Sequence, residues 1–227
     1  MTREPWKITA QMFLSVPEVD ALLAHLDRRI GKAPPDLRHA ARIDRLIVET
    51  LLFSGLRNSE LCRLTLDDLR LESIPPTLEV RGVPRESRSV AIPSRLATLL
   101  REYLADLRPQ SLREPQSRKA PRTLLLNDRG RPYERTSLYR RVVKILTEAG
   151  LETRASVQLL RHTYGYLAYL RTGGNLLFVQ RQLGHAHPMV TAVYAEFVEF
   201  SAAELANAVV GDPVAPPLPP VSRRRRK

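Results

Sequence analysis

The 227-residue chain has very little cysteine and no long apolar run. Its one cysteine, Cys62, cannot form a disulfide within the chain, and its apolar helical surroundings predict a small core residue. No apolar run approaches the ~18 residues that a membrane-spanning helix needs, and the N-terminus has no apolar signal region. Phosphate-binding glycine loops and metal-ligand spacings of Cys, His and acidic residues are also missing. We therefore expect no metal, no other cofactor and no membrane partner.

Positive charge, in contrast, is in excess. The chain has 36 Lys+Arg against 24 Asp+Glu, a formal net charge of +12. Such an excess favours a polyanionic partner through counterion release and electrostatic steering, without deciding between nucleic acid and another anionic surface. The hydrophobic fraction of 43% is sufficient for the core of one domain of ordinary size.

Local signals predict a mainly α-helical domain with a small antiparallel β-sheet, an α+β fold. Ser15-Val16-Pro17-Glu18 has the spacing of a capping box, and Gly55 is placed to end the following helix, from about Asp36 to Ser54. Two short strands are predicted at Thr77–Arg81 and Arg88–Ile92. The later predictions are a helix from Ser94 to about Asp106, a loop at 108–121, a short strand at Thr123–Leu126, and helices at about 136–149, from Ser156 to about Gly173 and at Leu176–Leu183.

Four residues suited to phosphate chemistry are spread over this pattern. Arg57 lies in the corner between two predicted helices and is followed by Ser59-Glu60-Leu61. Arg161 lies on a late helix, His185 follows a helix-ending glycine, and Tyr194 comes nine residues after His185. Guanidinium groups can neutralise a phosphate, a histidine can hydrogen-bond a non-bridging oxygen, and a phenol can attack phosphorus. These are the parts needed to cleave a phosphodiester through a covalent tyrosine intermediate.

The order and spacing of these residues resemble the catalytic domain of the tyrosine recombinases, or phage integrases, over roughly Ser15 to Phe200. The motifs that carry the resemblance are Gly55-Leu56-Arg57-Asn58-Ser59-Glu60-Leu61, Gln158-Leu159-Leu160-Arg161-His162, Leu183-Gly184-His185 and Tyr194. The resemblance implies site-specific recombination of double-stranded DNA through a 3′-phosphotyrosyl intermediate, without metal or nucleotide cofactor. It implies that the catalytic residues are Arg57, Gln158, Arg161, His185 and Tyr194, and that Arg81, Arg85 and Arg88 contact DNA.

Two departures from the family pattern concern proton transfer. The family usually has histidine or lysine at the position of Gln158. It also has a lysine in the strand turn, at a position that falls near Val83 in this chain, where the neighbouring basic residues are Arg81 and Arg85. Glutamine carries no proton, and arginine donates protons poorly. The chain could therefore be a working enzyme or a catalytically impaired, integrase-like DNA-binding accessory protein. An unrelated basic helical binding protein is the third alternative.

Other histidines and tyrosines have weaker claims to the chemistry. His162 directly follows Arg161, and His187 lies two residues after His185; we expect His162 to support the fold. The tyrosines of the arginine helix have the wrong separation from His185 and are interpreted as core or groove residues: Tyr164, Tyr166 and Tyr169.

We divide the chain into an N-terminal extension (1–13), a recombinase-like catalytic domain (14–210) and a proline-rich, basic and disordered tail (211–227). Typical family members have an N-terminal DNA-binding domain, so a lone catalytic domain should grip one face of a duplex. The tail either adds DNA affinity or only makes the protein more soluble. A last helix is predicted to have one apolar face, formed by Val198, Ala202, Leu205 and Val209. This face packs either on the core of its own chain or on a neighbouring protomer. We expect self-association on DNA and a cytoplasmic location, on the nucleoid if bacterial.

Overall fold

The computed structural model describes residues 8–82, 87–112, 121–202 and 206. The chain divides into two compact units. The first is Gln11–Tyr164, and the second comprises the described residues of Met1–Ala10 and Gly165–Lys227.

The described residues are mostly helical, with one small antiparallel sheet, which confirms the predicted fold class. Short 3-10 turns at Ala10–Met12, Leu66–Asp68 and Val193–Phe197 separate some of the longer elements. The α-helices are α1 (Val16–Lys32), α2 (Pro35–Ser54), α3 (Asn58–Arg63), α4 (Ser94–Glu102), α5 (Arg108–Ser111), α6 (Arg135–Glu148), α7 (Val157–Arg171), α8 (Leu176–Leu183) and α9 (Met189–Ala192). The strands are β1 (Leu69–Arg70), β2 (Thr77–Val80) and β3 (Arg88–Ala91).

Helix α2 is the centre of the first unit and packs against α1, α4 and α6. Its apolar residues are almost completely buried, including Ile43, Leu46, Ile47, Leu51 and Leu52. Burial of this kind is the main favourable contribution to folding. Because α2 is held on several sides, its C-terminal end, where the candidate site begins, has a rigid base.

The predicted helix boundaries of this unit are largely confirmed. The Ser15 amide and hydroxyl each donate a 2.8 Å hydrogen bond to Glu18 at the start of α1. Gly55 takes the left-handed conformation, with φ of 63°, and its amide donates to the Leu51 carbonyl. The Ser156 hydroxyl accepts from the Leu159 amide at 3.0 Å, as expected of a residue that caps α7.

The sheet confirms two predicted strands and corrects a third. Its order is β1-β2-β3, with Leu78 paired to Leu69 on one side and to Val90 on the other. The predicted strand at Thr123–Leu126 is wrong: this segment makes only the isolated bridges Thr65↔Thr123 and Leu126↔Pro132. The sequence pattern missed β1, which at two residues is too short to show alternation.

The predicted loop at 108–121 is wrong at its start. A π-helical turn at Tyr103–Leu107 continues α4 directly into α5. Pro109 is the second residue of α5 and follows the π-helical turn directly. The Arg108 side chain is buried and donates to the carbonyls of Thr123 (3.0 Å) and Leu124 (3.3 Å), which ties α5 to the following segment. Residues 113–120 lie outside the described part of the chain.

The second unit contains the end of α7 followed by α8, α9 and the 3-10 turn Val193–Phe197. The predicted last helix does not include Val198, whose backbone is extended. Ala202 and Ala206 are helical, whereas Leu205, Val209 and the tail lie outside the described residues. Among the helices that the structure describes, none is long and apolar enough to cross a membrane.

Candidate active site

The site begins at the corner between α2 and α3 in the first unit. Gly55 ends α2, and Arg57 is the residue that precedes the first turn of α3. The Arg57 amide donates to one Glu60 carboxylate oxygen at 2.7 Å, and its guanidinium donates to the other at 2.8 Å. One carboxylate therefore fixes both the backbone and the side chain of Arg57, while the side chain remains 33% exposed.

Glu60 also binds a second arginine, from strand β3. The two terminal nitrogens of Arg88 donate to the two Glu60 oxygens at 2.8 and 2.9 Å, a bidentate pair. Burial acts to raise the pKa of Glu60, but the hydrogen bond from Arg88 and the charges of Arg88 and Arg57 outweigh it and lower the pKa to about 2. Glu60 is thus ionised at neutral pH and connects the first arginine motif to the sheet.

Arg161 approaches the same corner from α7. Its side chain is 5% exposed, and its Nη1 donates a hydrogen bond to the Gly55 carbonyl. Within the first unit, therefore, the two predicted phosphate-binding arginines lie at one helix corner, because the Arg161 side chain is bonded to the Gly55 carbonyl, two residues before Arg57. They were more than a hundred residues apart in sequence.

The residues around Arg161 on α7 have different electrostatic settings. Gln158, one helical turn before Arg161, is exposed. Burial, with a further contribution from the charge of Arg161, lowers the pKa of His162 to about 4. Burial raises the pKa of the Tyr164 phenol, against the charges of Arg161 and Arg88. His162 is therefore neutral at pH 7, and Tyr164 is not activated as a nucleophile.

In the second unit, His185 is held by the turn that follows α8. Gly184 ends α8 in the left-handed conformation, and the His185 amide donates to the Gln180 carbonyl at 3.1 Å. The His185 Nδ1 lies 2.9 Å from the hydroxyl oxygen of Thr191, a residue of α9 that is completely buried. When the Thr191 hydroxyl donates to Nδ1, the proton of the neutral ring lies on Nε2, which can then donate to an oxyanion.

Tyr194 follows Thr191 by three residues and lies in the 3-10 turn Val193–Phe197. The side chain is 1% exposed. Its ring lies against the backbone of α7 at Gly165, which also belongs to the second unit. His185, Thr191 and Tyr194 are thus placed by one short segment, whereas Arg57, Gln158 and Arg161 belong to the first unit.

The three arginines expected to contact DNA have different surroundings. Arg81 is 68% exposed and pairs with Asp68 at 2.8 Å. Arg88 is 14% exposed and engaged by Glu60. Arg85 lies outside the described residues.

Three residues that contact predicted site residues within their own units were given no role by the sequence: Glu60 in the first unit, and Gly165 and Thr191 in the second. Glu60 had a signal, since it lies three residues after Arg57 with capping-box spacing. Thr191 lies one helical turn before Tyr194, and Gly165 lies one turn after Arg161, but neither position predicts a contact by itself. In the part of the chain that the structure describes, no group of three or more His, Cys, Asp and Glu side chains could hold a metal ion.

Solved structures of recombinases share this fold. The XerH site-specific recombinase bound to difH in a pre-cleavage complex matches with a TM-score of 0.67 and 24% identity, over 91% of this chain and 55% of that one. The catalytic domain of bacteriophage HP1 integrase matches with a TM-score of 0.52 and 23% identity, over 89% of this chain and 95% of that one. These similarities define the class of fold, a tyrosine recombinase catalytic domain.

Sequence comparison identifies the family. The sequence pattern described as "Phage integrase family" matches residues 13–199. Tyrosine recombinase XerC of Halalkalibacterium halodurans is 35% identical over 182 residues, 80% of this chain and 56% of the relative. Tyrosine recombinase XerD of Corynebacterium glutamicum is 32% identical over 192 residues, 85% of this chain and 59% of the relative. The chain belongs to the phage integrase family and spans little more than half the length of these relatives.

Proposed function

We propose that this chain cleaves and rejoins a strand of double-stranded DNA in site-specific recombination, with Tyr194 as the nucleophile. The observation that carries the proposal is the attachment of Arg57 and Arg161 to one helix corner. Two guanidinium groups held at one place suit a single phosphate. Membership of the phage integrase family supports the same conclusion.

In the proposed step, the Tyr194 phenolic oxygen forms a bond to phosphorus and the bond from phosphorus to the 5′-oxygen breaks. The phenol loses a proton, the departing 5′-oxygen gains one, and the DNA 3′-end remains as a phosphotyrosyl ester. Attack of a 5′-hydroxyl on this ester reverses the step and returns the tyrosine. Because the ester conserves the bond energy, rejoining needs no further co-reactant.

Arg57 and Arg161 would stabilise the negative charge that grows on phosphorus-bound oxygens during attack. Their partners, the Glu60 carboxylate and the Gly55 carbonyl, hold them in place before DNA binds, so little reorganisation accompanies the reaction. His185 would donate from Nε2 to a non-bridging oxygen, while Nδ1 is hydrogen-bonded to the Thr191 hydroxyl.

In the proposed enzyme, Gln158, His162 and Arg81 are all poor proton donors for the departing 5′-oxygen. Gln158 carries no proton, and with a pKa of about 4 only roughly one His162 in a thousand is protonated at pH 7. Arg81 is a poor acid. These observations favour slow cleavage, and they support the second candidate function, a catalytically impaired DNA-binding accessory protein.

A nicked suicide duplex, from which the cleaved fragment diffuses away, tests the proposal. We expect wild type to accumulate a covalent protein–DNA complex, and Arg57→Ala and Arg161→Ala each to slow its formation by about 10²–10³-fold at saturating DNA. Arg101→Ala is the matched control, because Arg101 forms an exposed pair with Glu72 and has no role in the proposed step. Duplex binding without any covalent complex would support the accessory protein instead.

The remaining parts of the proposal concern partners and boundaries. We propose that residues 14–210 form the catalytic domain and that the chain associates with further copies on DNA, its C-terminal segment packing either on its own core or on a neighbouring protomer. We also propose that it acts in the cytoplasm, on the nucleoid if bacterial. The net charge of +12 supports a polyanionic partner.

A further inference from the structure

Gly165 has no conformational reason to be glycine. It lies inside α7 and its φ is not positive, so the backbone there suits any helix-forming residue. Glycine in a helix interior is destabilising relative to alanine. An unfavourable residue at such a position suggests that the missing side chain matters for packing.

The space that a side chain would need is filled by Tyr194. A Cβ atom on Gly165 would lie 2.5 Å from both Cε2 and Oη of Tyr194, and closer still to Cζ. Real Cβ atoms essentially never come within 3.0 Å of another heavy atom. Since Tyr194 is 1% exposed, its ring has no open solvent into which to yield. Even alanine at position 165 would therefore displace the phenol.

We propose that Gly165 is a positioning residue for the nucleophile, because the Tyr194 ring packs directly against its backbone. We call this contact surface of Gly165 the seat. The contact is made at the reactive end of the ring, so the seat fixes where the phenolic oxygen lies. Gly165 and Tyr194 both belong to the second unit. The inference rests on the proposed role of Tyr194 in cleavage.

The seat is tested first by a double-mutant cycle on thermal stability, using Gly165→Ala and Tyr194→Ala. In wild type, Gly165→Ala should lower the Tm by up to about 6 °C, because the added methyl overpacks the ring. In the Tyr194→Ala background the same change should raise the Tm by about 2–4 °C, because only the helix preference remains. Tyr194→Phe keeps the ring and should behave as wild type. An equal rise in every background would overturn the proposed seat.

Gly31→Ala is the matched control for this cycle. Gly31 is helical too, in the last turn of α1, but it is exposed and a Cβ there would meet nothing within 4 Å. It should raise the Tm by about 2–4 °C whether or not Tyr194 is present.

The positioning role is tested by cleavage of the suicide duplex at saturating DNA, well below the Tm. Gly165→Ala should reduce the rate by about 100-fold with unchanged DNA affinity, because displacements of about 1 Å cost rates of that order, and Gly31→Ala should cleave as wild type does. A wild-type or faster rate for Gly165→Ala would overturn the positioning role. If wild type forms no adduct, the proposed function fails and the positioning role fails with it, whereas the Tm cycle still decides whether the ring rests on Gly165.

Discussion

Replacing Glu60 by glutamine should show how strongly the first arginine corner is held. The Glu60 carboxylate is 8% exposed and binds Arg57 and Arg88. Its pKa falls from 4.5 to about 2 in the folded protein. At about 1.4 kcal/mol per pKa unit, the ionised carboxylate contributes about 3 kcal/mol to the free energy of unfolding at pH 7. Glu60→Gln should lose about this much, because it keeps the shape but not the charge.

The loss should depend on pH in a defined direction. The folded pKa of Glu60 lies below the unfolded one, so its contribution is fully present above pH 4.5 and disappears as the pH falls towards 2. The difference between wild type and Glu60→Gln should shrink to about half of its pH 7 value at pH 3. Urea denaturation of both proteins at pH 7, 5, 4 and 3 measures the difference.

Glu72→Gln is the matched control for the Glu60 experiment. Glu72 is 86% exposed and its partner Arg101 is 43% exposed, so this pair should contribute under about 1 kcal/mol. A Glu60→Gln loss that stays constant from pH 7 to pH 3, or that is no larger than the Glu72→Gln loss, would refute the account of the Glu60 cluster.

Three further predictions concern the chemistry and DNA binding. Thr191→Val should slow covalent-complex formation by about 10–100-fold, because His185 loses the hydroxyl that hydrogen-bonds Nδ1 and orients the ring, and Thr191→Ser should restore the rate; a Val variant as fast as wild type would contradict this. A duplex with a 5′-bridging sulfur should be cleaved at least about 100-fold faster than the oxygen duplex, because sulfur leaves without a proton; equal rates would indicate an efficient acid. Deleting residues 222–227, outside the described part of the chain, should reduce the slope of log affinity against log salt by up to about 4.5; an unchanged slope would mean that the tail does not contact DNA.

The sequence correctly predicted the elements that depend on signals from neighbouring residues in the chain. The left-handed Gly55 and the capping serines mark helix ends through their own backbone and side-chain chemistry, and the structure confirms them. The helical spacing of the apolar residues in α2 also predicted that this helix is buried, because the spacing is again a property of nearby residues. Resemblance to the family then added the order of the site residues, which no local signal contains.

The errors and omissions depend on contacts between distant residues. The helical start of the predicted loop is held by Arg108, whose carbonyl partners lie 15 and 16 residues away. Glu60, to which the sequence assigned no role, binds Arg88 across 28 residues. The contact between Gly165 and Tyr194 arises only when the segment after α8 returns to α7. Composition and spacing carry no information about such pairings.

The most direct test of the central claim is to identify the residue that becomes linked to DNA. After trapping on a suicide duplex, nuclease and protease digestion followed by mass spectrometry should find a nucleotide on the peptide that contains Tyr194. Tyr194→Phe should give no adduct while still binding the duplex. An adduct on Tyr164, Tyr166 or Tyr169, or an undiminished adduct in Tyr194→Phe, would contradict the account.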